Sequence, residues 1–272
     1  MKLKMILPVA IVCALILGFS YTAWTSRVEK GAAQQVIKTG AAETPSSNDI
    51  EDKPEGEQEE DPGSVPALTA GQLDDLTANL PESVAAMLAE RLDHGEQAQL
   101  LVIGSSSFDG AASKFTSEVQ QAYEGFIAPD VYTFDGTSDQ FIESKLDTVD
   151  WKKGYDLVVY EPFTLNNNGQ VIIEEEHQDI ITVKNRAEEE VEDAAFFITP
   201  PQPIHNPNYY LTQINALKKF AGDRKIAYID HWEEWPDVGN EEILEYVDAD
   251  YKLTEKGIDT WSAALIDYFT GK

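Results

Sequence analysis

Residues 99–110 read Gln-Leu-Leu-Val-Ile-Gly-Ser-Ser-Ser-Phe-Asp-Gly, an apolar run that ends at a glycine and three hydroxyl side chains. A short aliphatic run bounded by such a turn signal is typical of a buried strand. We predict a strand from Leu100 to Ile103 and a helix that begins just after the serines. The free N–H groups at the start of such a helix can bind an anion or an oxyanion.

Four more short apolar runs follow along the chain, and segments with helical periodicity separate them. The predicted strands are Leu100–Ile103, Val131–Phe134, Leu157–Tyr160, Ala195–Ile198 and Ile226–Ile229. Strands that alternate with helices indicate a parallel sheet with helices on both faces. We therefore predict an α/β fold with a single doubly wound parallel sheet of about five strands, of the flavodoxin-like type.

The sequence also marks several helices. One follows Pro81 and ends before Gly95, because apolar residues lie on one stripe between them. The last helix begins after Thr254, whose hydroxyl can cap it. The run Glu174–Glu176, which precedes His177, is interpreted as the solvated face of an acidic helix and not as part of a metal site.

The N-terminal segment 1–26 contains a run without charges from Met5 to Trp24. Twenty helical residues span about 30 Å, which is the thickness of the hydrocarbon core of a bilayer. We predict a single-pass membrane anchor with the folded domain outside the cell. The alternative is a cleaved signal peptide with Lys2 and Lys4 as its positive region, and the protein would then be secreted.

Residues 27–71 are rich in Ala, Gln, Ser, Pro and acidic side chains. Between Asp49 and Asp61, eight carboxylates accompany the single Lys53, a composition that cannot form a core. We predict a disordered acidic linker over 27–71 and one folded domain over 72–272.

The chain has 49 acidic and 20 basic side chains, which give a formal charge of −29. Nucleic acids and anionic membrane surfaces bind through Lys and Arg, so neither is an expected partner, and contact with the membrane is expected only through the N-terminal segment. Cys13 is the only cysteine and lies in the N-terminal apolar run. The folded domain can therefore hold neither a disulfide nor a thiolate metal site. We predict no metal and no cofactor.

Polar residues follow the first three predicted strands. Ser106 comes after the first, Gly136 after the second and Asn166 after the third. In an open α/β sheet, ligands bind at the carboxyl ends of the strands, so these residues are expected to lie close together. A hydroxyl, a glycine amide and a carboxamide are the parts of a nucleophile with an oxyanion hole.

With these turns, the chain resembles the SGNH (GDSL-like) hydrolases from Gln99 to Phe269. The stretch 104–106, Gly-Ser-Ser, resembles the family's Gly-Asp-Ser, and 164–167, Thr-Leu-Asn-Asn, resembles its Gly-x-Asn-Asp. Gly136 resembles its oxyanion glycine. The resemblance implies that Ser106 is the nucleophile of a serine ester hydrolase and that Gly136 and Asn166 bind the oxyanion.

Four positions depart from the family pattern. Ser105 and Asn167 stand where the family has Asp, and Thr164 stands where it has Gly. In the stretch 248–257, Tyr251 or Lys252 stands where the closing Asp-x-x-His motif has its histidine. Because a serine hydroxyl needs a neighbouring base, the loss of this histidine leaves the general base open.

The imidazole bases that the sequence offers are His94, His177, His205 and His231. His231 follows the fifth strand and is the first choice, whereas His205 follows the fourth strand and ranks lower. The carboxylates that could orient the ring are Asp230, Asp237 and Asp248.

The expected function is hydrolysis of ester groups, O-acetyl groups among them, on carbohydrate or lipid of the cell envelope. The expected partner is a small ester or an acylated carbohydrate as substrate. Because the motif histidine is missing, an inactive module that binds envelope polysaccharide is the alternative. An acyltransferase is a third hypothesis, since an acyl-enzyme can pass its acyl group to a sugar hydroxyl instead of water.

Overall fold

The computed structural model of the chain describes residues 68–272. Its centre is a parallel sheet with the strand order β2-β1-β3-β4-β5. The strands are β1 (Ala98–Ser105), β2 (Ile127–Phe134), β3 (Leu157–Tyr160), β4 (Ala195–Ile198) and β5 (Ala227–Tyr228). All five predicted strands are present, although β5 is shorter than expected. The predicted anchor (1–26) and the linker up to residue 67 lie outside the described residues.

Helices connect the strands and cover the sheet. They are α1 (Ala70–Leu76), α2 (Glu82–His94), α3 (Asp109–Ala122), α4 (Ser138–Ser144), α5 (Thr164–Asn167), α6 (Ile173–Glu188), α7 (Tyr209–Arg224) and α8 (Glu255–Thr270). None of these helices, over residues 68–272, is long and apolar enough to cross a membrane.

The helix boundaries follow the local chemistry of the chain. Gly95 ends α2 in the left-handed region with φ of 69°, and the Thr254 hydroxyl accepts a hydrogen bond from the N–H of Gly257 at the start of α8. Both boundaries agree with the sequence. Helix α1 begins at Ala70, and the preceding Leu68 is buried.

The two faces of the sheet bury two separate apolar cores. Leu100 and Val102 belong to the first core, and Leu101 and Ile103 to the second, because successive side chains of a strand point to opposite faces. Side chains of α1, α2, α3 and α8 fill the first core, and those of α4, α6 and the C-terminal half of α7 fill the second. A strand buried on both faces is apolar throughout. The short apolar runs in the sequence could therefore be recognised as strands. The predicted α/β architecture is confirmed for this part of the chain.

Candidate active site

The turns after β1, β2 and β3 meet at one edge of the sheet. Strand β1 lies between the other two, and Ser105 at its end pairs in register with Phe134 of β2. On the other side, Ile103 pairs with Tyr160, the last residue of β3. The three strands therefore end within two residues of one another, at the carboxyl edge of the parallel sheet.

Ser106 begins a short 3-10 turn, Ser106–Phe108, that leads directly into α3. Its side chain is exposed, and its hydroxyl donates one long hydrogen bond of 3.5 Å to Oδ1 of Asp135. The end of β1 can pack closely against Phe108 and Glu161 because residue 104 is glycine. A Cβ atom at Gly104 would lie 2.7 Å from Cδ1 of Phe108 and 2.8 Å from Cβ of Glu161. The hydroxyl of Ser106 is thus presented to solvent from a tightly packed turn.

Asn166 joins the turns that follow β2 and β3. Its Nδ2 atom donates a hydrogen bond of 2.8 Å to the carbonyl oxygen of Gly136. A primary amide carries two N–H donors, so this bond leaves the second one for another acceptor. The structure therefore brings Ser106, Gly136 and Asn166 to the same edge of the sheet.

Ser106 and Asn166 line one open cleft of about 650 Å³. This volume lies in the range of ordinary small-molecule sites. Asp250, Tyr251 and Lys252, in the loop before α8, also line this cleft. Among residues 68–272, no group of three or more His, Cys, Asp or Glu side chains is arranged to hold a metal ion.

Glu161 lies buried directly beneath the serine turn, a role that the sequence did not indicate. Its Oε2 atom accepts a hydrogen bond of 2.6 Å from the N–H of Ser105, and Oε1 accepts one of 2.9 Å from the N–H of Phe163. Burial raises the pKa of Glu161 to about 7, against the effect of these hydrogen bonds. The carboxyl group links the turn after β1 to the turn after β3.

A second buried carboxyl group, that of Glu176, holds the Asn166 turn. It accepts hydrogen bonds of 2.7 Å from Nδ2 of Asn167 and 2.9 Å from the hydroxyl of Thr164. Burial raises the pKa of Glu176 to about 8. The expectation that the whole run Glu174–Glu176 faces solvent is therefore wrong for Glu176, which shares the buried stripe of α6 with Ile180.

The expectation that His231 is the general base does not fit this geometry. The ring is fully buried and stacks on Trp261 with centroids 4.7 Å apart. Its Nδ1 accepts a hydrogen bond from Nε1 of Trp235, and its Nε2 lies 2.8 Å from the carbonyl oxygen of Pro200. A carbonyl only accepts, so Nε2 carries the proton and no lone pair is free. Burial lowers the pKa of His231 to about 4.

The carboxylates expected to orient an imidazole have other partners. Asp230 pairs with Lys218 at 2.6 Å, and Asp237 accepts from the N–H of Gly239. Oδ1 of Asp248 accepts from two N–H groups of its own loop, those of Asp250 and Lys252. None of the three hydrogen-bonds an imidazole in residues 68–272.

The other histidines also lie apart from the serine hydroxyl. His94 is exposed at the end of α2, and His177 stacks on Phe220 with centroids 4.1 Å apart. His205 follows β4, and its Nε2 lies 3.0 Å from Nδ2 of Asn206. In the described part of the chain, Ser106 therefore has no imidazole partner.

Comparison with solved structures identifies proteins of the same fold. One is a catalytic mutant of Axe2, an acetylxylan esterase from Geobacillus stearothermophilus, with a TM-score of 0.52, 11% identity and coverage of 63% of this chain and 94% of that chain. Another is a candidate platelet activating factor from Streptococcus pneumonia, with a TM-score of 0.52, 14% identity and coverage of 72% and 96%.

A third is a candidate lipolytic protein of the G-D-S-L family from Desulfitobacterium hafniense, with a TM-score of 0.50, 13% identity and coverage of 63% and 99%. No protein-family model and no curated protein matches the chain. At these identities the comparison establishes a shared fold.

Proposed function

From the SGNH-like hydrolase fold that the chain shares with these proteins, we propose that it is a serine ester hydrolase with Ser106 as nucleophile. One observation carries this proposal. Ser106, which is exposed, and Asn166 line the same open cleft, at the edge where three β-to-α turns meet. A nucleophile and an oxyanion donor on one acyl-sized cleft are what acyl transfer requires.

The reaction proceeds through an acyl-enzyme. Oγ of Ser106 bonds to the ester carbonyl carbon, and the carbonyl electron pair moves onto its oxygen. The proposed donors for this oxyanion are the second N–H of Asn166 and the backbone N–H of Ser106. Gly136 does not line the cleft, and it holds the Asn166 amide through its carbonyl oxygen. The C–O bond to the alcohol then breaks, and the alcohol leaves with the proton that the Ser106 hydroxyl gave up. Water then attacks the acyl carbon, so that the carboxylic acid leaves and Oγ of Ser106 regains a proton.

The proposed substrates are small esters, with O-acetylated carbohydrate or lipid of the cell envelope as the natural class. Two features support this choice. The cleft is open and has room for a sugar-sized group, and one of the proteins with the same fold is an acetylxylan esterase. Ester hydrolysis by a serine needs no cofactor.

The position of the enzyme at the cell surface is proposed from the sequence of 1–26, with its uncharged run from Met5 to Trp24. If the segment is an anchor, the full chain stays in the membrane fraction after an alkaline carbonate wash. Recovery of a shortened chain in the medium would show cleavage and secretion instead.

The decisive experiment treats the full-length chain with a fluorophosphonate probe and maps the adduct by mass spectrometry. We expect labelling on Ser106 and its loss in Ser106→Ala. Ser113→Ala, which removes an exposed serine from α3, should be labelled as fast as the parent chain. Lack of an adduct on Ser106, in protein that is folded by circular dichroism, would refute the hydrolase.

One observation favours a second candidate function. No imidazole pairs with Ser106 in residues 68–272, so the cleft could serve as an acylated-polysaccharide binding site without turnover. A chain that binds acetylated polysaccharide and resists the probe would support this alternative. If the probe does react, adding a sugar acceptor to the ester assay separates an acyltransferase from a hydrolase, because only a transferase yields the acylated sugar.

A further inference from the structure

The Ser106 cleft contains one basic side chain in the part of the chain that the structure describes, and it is Lys252. This residue lies in the loop before α8 and lines the same cleft as Ser106. A serine hydroxyl is a weak nucleophile unless a neighbouring base takes its proton. Lysine fills this role in the Ser–Lys variants of serine catalysis.

The backbone of Lys252 is fixed in place by its own loop. Its N–H donates to Oδ1 of Asp248 at 3.0 Å, and its carbonyl oxygen accepts from the N–H of Asp248 at 2.9 Å. A bridge between Val247 and Leu253 closes the base of the loop. The side chain of residue 252 therefore starts from a defined point on the cleft wall.

A buried amide ties this loop to the serine turn. Gln202 is fully buried; its Nε2 donates to the carbonyl oxygen of Tyr251 at 2.9 Å, and its Oε1 accepts from the hydroxyl of Ser107 at 3.3 Å. The side-chain amide of Gln202 thus hydrogen-bonds both Tyr251, which precedes Lys252, and Ser107, which follows Ser106.

Close packing between α3 and α8 also holds the serine turn and the loop of Lys252 together. A Cβ atom at Gly110, near the start of α3, would lie only 2.8 Å from Cδ1 of Ile258 near the start of α8. Glycine at this position lets the two helix starts approach. The serine turn and the loop of Lys252, which immediately precede these helices, are held together as a result.

The amine of Lys252 has no salt-bridge partner within residues 68–272, whereas Lys114 of α3 pairs with Asp259 and Lys256 of α8 pairs with Glu245. It is exposed and therefore accessible to the cleft and to water. Within residues 68–272, the Lys252 amine can therefore change position at the cleft without breaking an ion pair.

The other charged groups at the cleft are carboxylates. Asp109 lies at the start of α3, Asp250 lies in the loop of Lys252, and Asp135 follows β2 and is 3.5 Å from the Ser106 hydroxyl. A carboxylate is a weak base toward a serine hydroxyl. A neutral amine is the far stronger base, so Asp135 is suited to orient the hydroxyl and not to deprotonate it.

We propose that Lys252 is the general base for Ser106, an inference that rests on the proposed hydrolase function. Neutral Nζ takes the hydroxyl proton while Oγ of Ser106 bonds to the carbonyl carbon. The resulting ammonium returns that proton to the alcohol oxygen as the C–O bond to the alcohol breaks. In deacylation, Nζ takes a proton from the attacking water and passes it to Oγ of Ser106 as the acyl–Oγ bond breaks.

This assignment predicts an alkaline pH dependence. Only the neutral amine can accept a proton, and a rise in pH increases the neutral fraction of a lysine side chain. The rate of acylation should therefore keep rising well above neutral pH. An imidazole base would instead give a plateau above about pH 7.

The experiment measures the rate of fluorophosphonate reaction at Ser106 as a function of pH in the full-length chain. Lys252→Arg keeps the positive charge but cannot give up its proton, so the rate should fall by about 10²-fold or more. Lys252→His should restore part of the rate, with a plateau near neutral pH. Lys145→Arg, at an exposed lysine after α4, serves as the control and should keep the parent rate and profile.

The outcomes separate the two proposals. If Lys252→Arg reacts as fast as the parent chain with the same pH profile, Lys252 is not the base, and the hydrolase proposal stands. If Ser106 in folded parent chain does not react at any pH, both proposals fall. Circular dichroism of each variant shows whether a lost rate reflects a lost fold.

Discussion

Asn166 donates a hydrogen bond of 2.8 Å to the carbonyl oxygen of Gly136, and this bond connects the turns on either side of the serine turn. Strand β1 lies between β2 and β3, so the two flanking turns are joined at the edge where β1 delivers Ser106. The bond fixes the amide group of Asn166, whose second N–H is the donor that we propose for the oxyanion. Preorganised donors of this kind stabilise the transition state without having to reorganise during the reaction.

The first prediction concerns that amide. Asn166→Ala should lower kcat for a small aryl acetate by about 10²–10³-fold, as does the loss of one oxyanion donor elsewhere, with a much smaller change in KM. Steady-state kinetics on the purified full-length chain measures both. A variant that raises KM and keeps kcat would show that Asn166 binds the ground state and has no special role at the oxyanion.

The second prediction concerns the close approach at Gly104. Gly104→Ala places a methyl group 2.7–2.8 Å from Phe108 and Glu161, and such overpacking costs about 1–3 kcal/mol of unfolding free energy. Urea denaturation measures the loss. Gly222→Ala in α7 is the matched control: its methyl group meets no atom within 4 Å, so the better helix propensity of Ala should stabilise the chain by about 0.5–1 kcal/mol. Equal effects of both changes would contradict the packing argument.

The strands and the carboxyl-edge turns could be predicted from the sequence because Leu100–Ile103 and Leu157–Tyr160 are apolar at every position, the pattern of strands buried on both faces. No single residue determines the order of the strands in the sheet. Any parallel arrangement of these strands nevertheless places Ser106 and Asn166 at the same edge. The positions of Ser106 and Asn166 directly after two predicted strands were therefore sufficient to predict that both lie at this edge.

His231 shows why the same reasoning did not extend to the base. Its place after β5 was predicted correctly, but the direction of its ring depends on Trp235 and Trp261, which pack around it. Trp261 belongs to α8, which is distant from His231 in the chain, and a contact of this kind leaves no pattern in the sequence around the histidine. Glu176, in contrast, carried a readable signal: with Ile180, Val183 and Ala187 it forms the buried stripe of α6 at helical spacing.

The third prediction uses the raised pKa of Glu176. Its folded-state pKa of about 8 exceeds the ordinary 4.5, so between these values the folded chain binds more protons than the unfolded chain, and the Glu176 contribution to stability falls as pH rises. Compared with Glu176→Gln, the parent chain should lose up to about 1.4 kcal/mol per pH unit across this range. Urea titrations of both proteins at several pH values measure the difference.

Glu175→Gln provides the reference for that experiment, because Glu175 is an exposed neighbour in the same helix. The loss of stability with rising pH that Glu176 causes in the parent chain should persist in Glu175→Gln and disappear in Glu176→Gln. If the unfolding free energies of the two variants change with pH in the same way, the buried position of Glu176 has no influence on its titration.

The fourth prediction separates a structural role for His231 from a catalytic one. His231→Ala removes the stacking on Trp261 and leaves Nε1 of Trp235 without its acceptor, so the unfolding free energy at neutral pH should fall by about 2–4 kcal/mol. The rate of Ser106 labelling per folded molecule should not change. His205→Ala, at a half-buried loop position, should shift stability by no more than about 0.5 kcal/mol.

The sign of the pH effect gives a second test of the same residue. Burial lowers the pKa of His231 from 6.5 to about 4, so the unfolded chain binds the extra proton first as the pH falls. The stabilising effect of His231 is therefore complete above pH 6.5 and is lost as the pH drops toward 4. The stability gap between the parent chain and His231→Ala should narrow over that interval, whereas a gap that persists at pH 4, or a variant of unchanged stability with a lost labelling rate, would contradict the structural role.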